Sequence, residues 1–215
     1  MPRRQTLNFS MVTAALVAAL VAAIVAIALN TTPAALAADE LALGAKGADF
    51  SLKGTDGKTH SLASVKGEKG TAVIFTCNEC PYSKGYEDRL IGLASEYQPK
   101  GIGFVAINSN DPKIVPGDGF DFMVKRAQNK NFPYPYVFDE TQQIAKAYGA
   151  RVTPHIFLLD ASGKLVYRGR VDDSLEQEKV KTRDFASALE ALAAGQPVKV
   201  AETKAFGCGV KYAKN

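Results

Sequence analysis

The order of the secondary-structure elements predicts a three-layer α/β sandwich around a mixed central sheet, preceded by a β-hairpin. Three observations support this fold class. Short apolar strands alternate with helical segments, a hairpin and a helix close the pattern, and residues 38–215 are enough to bury one core. We therefore expect one domain at residues 43–198 and a C-terminal tail at residues 199–215.

The first 37 residues have the composition of an export signal. Arg3 and Arg4 precede an apolar run at residues 11–29, and Ala35-Leu36-Ala37 has small residues at the two positions that signal peptidase recognises. The run is longer than the ~7–15 residues of most cleaved signals, so it is also long enough to remain as a membrane anchor. We expect cleavage after Ala37, and in either case a periplasmic or otherwise extracytoplasmic protein.

The first half of the domain begins with a hairpin. Residues 49–62 alternate in polarity on both sides of a Gly-rich turn, which is typical of two antiparallel strands. The apolar, β-branched and aromatic run 72–75 predicts a buried strand, and 82–97 predicts the helix that follows it. Residues 103–108 predict a second buried strand.

The second half continues the alternation of strands and helices. Its predicted elements are a helix at 120–129, a strand at 136–138, a helix at 141–148, a hairpin formed by 151–160 and 164–170, and a closing helix at 181–194. Thr141 suits the N-cap of its helix, and Gly149 suits the end of the same helix.

Cys77 and Cys80 lie where the first buried strand passes into a helix. Pro81 follows at once, and proline suits the first helical turn because its missing N–H has no partner there. Unpaired N–H groups and the helix dipole stabilise a thiolate at such an end. We expect Cys77 to be the nucleophile and Cys80 the resolving thiol. The carboxylate of Glu79, between them, should raise the thiolate pKa somewhat.

Other interpretations of this cysteine pair are open. A zinc site needs two more ligands, and Cys208, His60 and His155 are not spaced as a second ligand pair. An inert disulfide would close too short a loop to stabilise the fold much. Two unrelated core thiols are a further alternative. A redox-active pair explains the pattern best, and it requires no metal and no cofactor.

Three stretches of the chain resemble the thioredoxin superfamily, and more closely the redoxins of the AhpC/TSA type. They are residues 75–82 with the Cys-x-x-Cys, residues 152–154 with Thr-Pro, and residues 207–212 of the tail. The resemblance implies a thioredoxin-like sandwich and thiol chemistry. It also implies a cis bond before Pro154, with Thr153 and Pro154 docking an extended substrate beside the cysteines.

Two further residues lie near these motifs. Cys208 lies between two glycines in a tail that we expect to be mobile, and it is a candidate additional redox thiol, an intermolecular bridge or a spare thiol. His155 follows Pro154 in a buried strand, where a lone histidine is more often a hydrogen-bonded core residue than a ligand or a base.

The residues favour an exported thiol–disulfide oxidoreductase that works through a mixed disulfide. Its partners would be protein thiols and disulfides or a thiol electron donor. Removing Arg3 and Arg4 leaves a net charge of +2 and no basic cluster with interleaved aromatics, which argues against nucleic acid. Membrane contact would come only through an uncleaved N-terminal segment.

Three other functions are alternatives. A thiol peroxidase needs Thr or Ser three residues before its reactive cysteine and Pro four residues earlier, and neither cysteine of the pair has them; Arg151 could still approach the site. A copper carrier on this fold usually spaces its cysteines by three residues rather than two. A binding module with an inert disulfide would keep the fold without the chemistry.

Overall fold

The structure is a computed structural model that describes residues 40–214. The expected export signal at residues 1–37 lies outside the described residues. Between residues 40 and 214, no helix combines the length and the apolar composition needed to cross a bilayer.

Nine strands are described in this part of the chain. They are β1 (Ser51–Gly54), β2 (Thr59–Ser61), β3 (Gly70–Phe75), β4 (Ile102–Asn108), β5 (Tyr136–Phe138), β6 (Val152–Thr153), β7 (His155–Asp160), β8 (Leu165–Gly169) and β9 (Cys208–Gly209). Seven of them form the central sheet in the order β2-β1-β5-β4-β3-β7-β8, and β6 pairs with β9 separately. Because β3, β4 and β5 are parallel while the other neighbours are antiparallel, the sheet is mixed, as predicted.

Four α-helices are described over the same residues: α1 (Pro81–Tyr97), α2 (Phe120–Lys130), α3 (Gln143–Tyr148) and α4 (Asp184–Ala193). Short 3-10 turns lie at Gln98–Lys100, Pro116–Asp118 and Gln177–Lys179. The predicted strands, hairpins and helices are therefore present, with ends that differ by a few residues.

The two faces of the sheet bury separate halves of the core. Along β3, Ile74 belongs to a cluster that contains Tyr86 of α1 and Phe185 of α4. Its neighbour Val73 belongs to the opposite cluster, which contains Tyr148 of α3. Successive residues of a strand point to opposite faces, so one buried strand supports both layers. This arrangement confirms the three-layer sandwich.

Two local predictions about the second half need correction. Helix α3 begins at Gln143 rather than Thr141, because Gln142 adopts a left-handed conformation with φ 61° at the cap, where no side-chain cap bond is formed. The single strand expected at 151–160 is divided into β6 and β7 at the Thr153–Pro154 bond, which is cis as the resemblance implied. Gly149 ends α3 with φ 65°, as predicted.

The tail is packed against the domain, so the expectation of a mobile tail was wrong. Thr203 donates its N–H to the carbonyl of Arg168 in β8 at 3.0 Å. Further along, β9 pairs antiparallel with β6, with Cys208 opposite Thr153. The reason is that the tail satisfies backbone groups which the domain would otherwise leave unpaired. The domain boundary at residues 198 and 199 remains a prediction.

Candidate active site

The N-terminus of α1 is occupied by Cys80. This residue is the N-cap, with extended backbone angles φ −66° and ψ 123°, and Pro81 follows in the first turn. Its carbonyl accepts the N–H of Lys84 at 3.0 Å, the first bond of the helix. Cys77 lies in the short loop between the end of β3 at Phe75 and this cap, and the backbone N–H of Cys80 acts to lower its pKa. Both cysteines therefore lie at the N-terminal end of the helix.

Thr153 connects the three cysteines of the chain. Its Oγ1 lies 3.3 Å from Sγ of Cys77, and its carbonyl oxygen accepts the thiol of Cys80 at 3.1 Å. The same hydroxyl contacts the carbonyl of Cys208 at 3.4 Å. The structure thus brings together Cys77, Cys80, Cys208 and the Thr153–Pro154 step, all of which the sequence singled out.

The thiols differ in their affinity for a proton. Contact between the two buried sulfurs shifts their pKa values in opposite directions, so the partners of each sulfur decide which one holds the proton. The Cys80 thiol donates to the carbonyl of Thr153, which a thiolate could not do. Cys77 contacts the hydroxyls of Thr153 and Ser83, and a hydroxyl can donate to a thiolate. These partners favour the proton on Cys80.

The positions agree with the sequence analysis, because Cys77 lies just before the helix and Cys80 at its start. The role of Cys77 as nucleophile remains a prediction. Both thiols are buried, each with only 4% of its surface exposed. Ser83, which we did not single out, lies one turn into α1 with Oγ 3.9 Å from Sγ of Cys77. Its spacing of three from Cys80 was the available signal.

The loop between the two cysteines is held by Asp118, a second residue that sequence reasoning missed. Its Oδ1 accepts the N–H groups of Asn78 at 2.7 Å and Glu79 at 3.0 Å, while Oδ2 accepts the amide of Asn110 at 2.7 Å. Asn78 is fixed again by Tyr136, whose hydroxyl donates to Oδ1 at 3.0 Å. Asp118 is fully buried, and nothing in its sequence neighbourhood indicated this contact.

Glu79 is not among the main causes of the pKa shifts of the cysteine pair. Its carboxylate pairs with Nζ of Lys84 at 3.1 Å, with both side chains about half exposed. The carboxylate that does act is that of Asp118, and it acts on Cys77.

His155 is a core residue, as the sequence suggested. It is 2% exposed, and its ring lies 4.4 Å from that of Phe157. Burial lowers its pKa to about 4, assisted by the nearby charges of Arg168 and Arg151. The ring is therefore neutral at physiological pH, and Nδ1 faces the backbone N–H of Arg151 at 3.5 Å.

The remaining candidate ligands lie apart from the cysteines. His60 pairs with Asp56 at 3.0 Å, beside the N-terminal hairpin. Arg151, considered for a peroxide site, pairs with Glu40 at 3.3 Å and is largely exposed. Within residues 40–214, no group of three or more His, Cys, Asp or Glu side chains is arranged to hold a metal ion.

Comparison with known proteins agrees with this geometry. The model of the AhpC/TSA family matches residues 43–168. The thiol-disulfide oxidoreductase ResA of Geobacillus thermodenitrificans is 30% identical over 128 residues, which are 58% of this chain and 67% of the relative. An uncharacterized conserved protein from Geobacillus kaustophilus has a similar structure, with TM-score 0.78 and 38% identity over 82% of this chain and 95% of its own. A hypothetical protein from Sinorhizobium meliloti 1021 gives TM-score 0.76 and 32% identity over 82% of this chain and 98% of its own.

The sandwich and the matches together define a redoxin of the thioredoxin superfamily. Within that class, the chain belongs to the AhpC/TSA family. It is an oxidoreductase.

Proposed function

We propose that the protein is an exported thiol–disulfide oxidoreductase, in which Cys77 attacks the partner and Cys80 resolves the mixed disulfide. One observation carries the proposal: at the start of α1 the Cys80 thiol donates to the carbonyl of Thr153 at 3.1 Å, while Cys77 lies 3.3 Å from the hydroxyl of the same residue. A thiolate at a helix N-terminus beside a second thiol is the arrangement that disulfide exchange requires. The name of the ResA relative supports the same reaction.

The exchange proceeds in two steps that conserve electrons. The Cys77 thiolate attacks one sulfur of a substrate disulfide, forms a mixed disulfide with it and expels the other substrate sulfur as a thiolate. Cys80 then attacks the sulfur of Cys77, which forms the Cys77–Cys80 disulfide and releases the second substrate sulfur. The substrate gains two electrons, and the cysteine pair loses them.

The proton of Cys80 moves at the second step. In the reduced protein, the Cys80 thiol donates to the carbonyl of Thr153 at 3.1 Å. When the Cys80 sulfur attacks the mixed disulfide, this proton passes to the departing substrate thiolate. The hydroxyl of Thr153, 3.3 Å from the Cys77 sulfur, holds the same residue against both cysteines.

Docking and export are further parts of the proposal. The backbone at Thr153 and Pro154 lies beside Cys80 and is the surface along which we place an extended substrate chain, as β-strand addition would do. Export follows from the basic start, apolar run and Ala-x-Ala sequence of residues 1–37.

Matched serine variants test the assignment of roles. In a coupled assay of insulin reduction with dithiothreitol as electron donor, Cys77→Ser should lower the rate by at least about 100-fold, to the uncatalysed level. Cys80→Ser should still attack and should accumulate a mixed disulfide that survives alkylation and is visible by mass spectrometry. Full activity of Cys77→Ser, or a trapped substrate on Cys80 instead, would contradict the proposal.

A further inference from the structure

The short strand β6 is paired with an extended segment of the same chain. Strand β9 lies antiparallel to it, with Val152 opposite Gly209 and Thr153 opposite Cys208. Over residues 40–214, these two strands form a sheet of their own, separate from the seven-stranded sheet. The tail thus makes, on β6, the backbone pairing that β-strand addition would give to an extended substrate.

The tail reaches this position from the helix that carries the cysteines at its start. Before β9, the ring of Phe206 packs edge-on against Tyr82 at 5.8 Å and lies 6.2 Å from the ring of Tyr86, both on α1. After β9, Val210 donates its N–H to the carbonyl of Arg151 at 3.0 Å. The tail therefore passes over the N-terminal end of α1 and then along β6.

Hydrogen bonds from side chains hold the last part of the tail. Gln142 binds it twice, because its amide donates to the carbonyl of Lys211 at 2.9 Å and its Oε1 accepts the N–H of Ala213 at 2.8 Å. The hydroxyl of Tyr212 donates to the carbonyl of Ala150 at 2.8 Å. The docked position is therefore specific, and it depends on a small number of polar contacts.

The thiols of the active site are covered while the tail is docked. Cys77 and Cys80 each have only 4% of their surface exposed, although a thiolate attacks a disulfide only where the two can meet. Strand β3 and helix α1, on either side of the pair, contribute to the buried core. From residue 206 to residue 213, by contrast, no side chain is buried. A segment with so few buried contacts opens more readily than the core elements beside it.

Gly207 permits the tail to lie close to β6. A Cβ added there would lie 2.1 Å from the carbonyl oxygen of Thr153 and 3.3 Å from the nitrogen of Pro154, both of them backbone atoms. A Cβ added at Gly209 would meet only the carbonyl oxygen of Arg151, at 3.9 Å. Gly207→Ala must therefore displace the tail, whereas Gly209→Ala leaves it in place.

We propose that residues 207–213 occupy the substrate-docking strand as an internal competitor, so that an extended partner chain must exchange with β9 before Cys77 can react. The inference rests on the proposed function, because it takes β6 as the docking surface and Cys77 as the attacking thiol. It requires two states of the chain: a closed state with β9 on β6, and an open state in which the tail has left β6.

The competition determines which kinetic constant should change. The substrate binds the open state, so its apparent dissociation constant is the intrinsic constant divided by the open fraction. A variant that favours the open state should therefore lower KM for a protein disulfide. Once bound, the substrate has replaced the tail, so the reacting complex is the same in parent and variant and kcat should not change.

The experiment compares the two glycine variants in the full chain, with insulin as the protein disulfide and dithiothreitol as the electron donor. Gly207→Ala should lower KM for insulin by about fivefold or more, with kcat within about twofold of the parent. Gly209→Ala should keep both constants within about twofold of the parent. Alkylation by iodoacetamide, followed by mass spectrometry, gives a second measurement: Cys77 should react about fivefold faster in Gly207→Ala than in Gly209→Ala.

A milder variant tests the same contact without a steric clash. Tyr212→Phe removes only the hydroxyl that binds the carbonyl of Ala150. The loss of one hydrogen bond should shift the chain toward the open state and lower KM by about threefold. Melting curves show which variants retain the fold, and Tyr212→Phe alone decides the inference if Gly207→Ala does not fold.

The outcomes separate this inference from the proposed function. Equal KM values and equal alkylation rates in the parent, Gly207→Ala and Tyr212→Phe would overturn the internal competitor. A lower kcat in folded Gly207→Ala would also overturn it, because the tail would then complete the docking site. A parent protein that reduces insulin no faster than its Cys77→Ser variant would overturn the proposed function instead, and alkylation of Cys77 would still decide whether the tail covers the thiol.

Discussion

Two oxygen atoms of Thr153 contact all three cysteines. The backbone oxygen accepts from Cys80, and the hydroxyl lies between Cys77 and Cys208. A β-branched side chain has few rotamers, so the hydroxyl is held in place by the backbone of β6. The chemistry of the site therefore depends on the position of a residue that itself transfers no electrons.

His155 makes the stability of the fold depend on pH. Its pKa in the folded protein is about 4, whereas an unfolded histidine titrates near 6.5. As the pH falls below about 6.5, the unfolded chain binds a proton that the folded protein does not, so stability falls until about pH 4. Above pH 6.5 the residue is neutral in both states and contributes no pH dependence.

We expect urea denaturation to show this loss. Between pH 7 and pH 4.5, the His155 contribution should lower the free energy of unfolding by on the order of 2–3 kcal/mol. His155→Gln cannot take up the proton, so its stability should decline less over the same range. The comparison at pH 7 and 8 serves as the control, because the difference between the two proteins should be constant there. Parallel curves at all pH values would contradict the prediction.

At the scale of elements, the loop from Cys77 to Cys80 depends on a distant turn. Asp118, in the 3-10 turn before α2, receives two backbone N–H groups of this loop and the amide of Asn110. Because Asn110 also accepts the N–H of Lys211, the same cluster connects the cysteine loop to the tail. The geometry of the site thus relies on a bridge between three segments that are far apart in sequence.

Removing this bridge should cost stability. Asp118→Ala leaves two buried N–H groups and an amide without their acceptor, and we expect a loss of about 2–4 kcal/mol in the free energy of unfolding. Asp121→Ala, three residues along on the exposed start of α2, should cost less than about 1 kcal/mol. Chemical denaturation of both variants measures the difference, and similar losses would show that the Asp118 contacts contribute little.

The sequence predicted the elements better than it predicted their ends. Helix α1 and strand β3 follow from apolar spacing and the position of Pro81, which are local signals. The position of Cys80 at the start of α1 was predicted for the same reason. Gln142, Asp118 and the tail act through contacts between distant segments, which leave no pattern in a single sequence.

For the whole molecule, the alternation of strands and helices was sufficient to predict the layers. The strand order could not be obtained in the same way, since β3 lies between β4, the next strand along the chain, and β7, which comes three strands later than β4. The clustering of three cysteines has the same origin. Cys208 lies opposite Thr153 because the tail passes β8, α1 and β6 in turn.

Export is a property of the entire chain and has a direct test. We expect the protein purified from its native cells to begin at Ala38 and to be found outside the cytoplasm. Ala37→Phe should block this cleavage, because the site requires a small residue there, whereas Ala34→Phe lies outside the recognised pair and should be processed normally. N-terminal peptides identified by mass spectrometry measure both. An unprocessed chain in the cytoplasmic fraction would contradict export.

The pairing of β9 with β6 also means that a partner must displace the tail before it can pair with β6. Any polypeptide that uses the backbone of Thr153 competes with a strand of the same chain, tethered through the residues that follow α4. A short tether gives such a segment an effective concentration on the order of millimolar. A dilute protein with one exposed extended segment would therefore rarely displace the tail. A partner with additional contacts elsewhere on the surface would displace it. The tail thus sets the minimum affinity that a partner needs in order to reach the thiols.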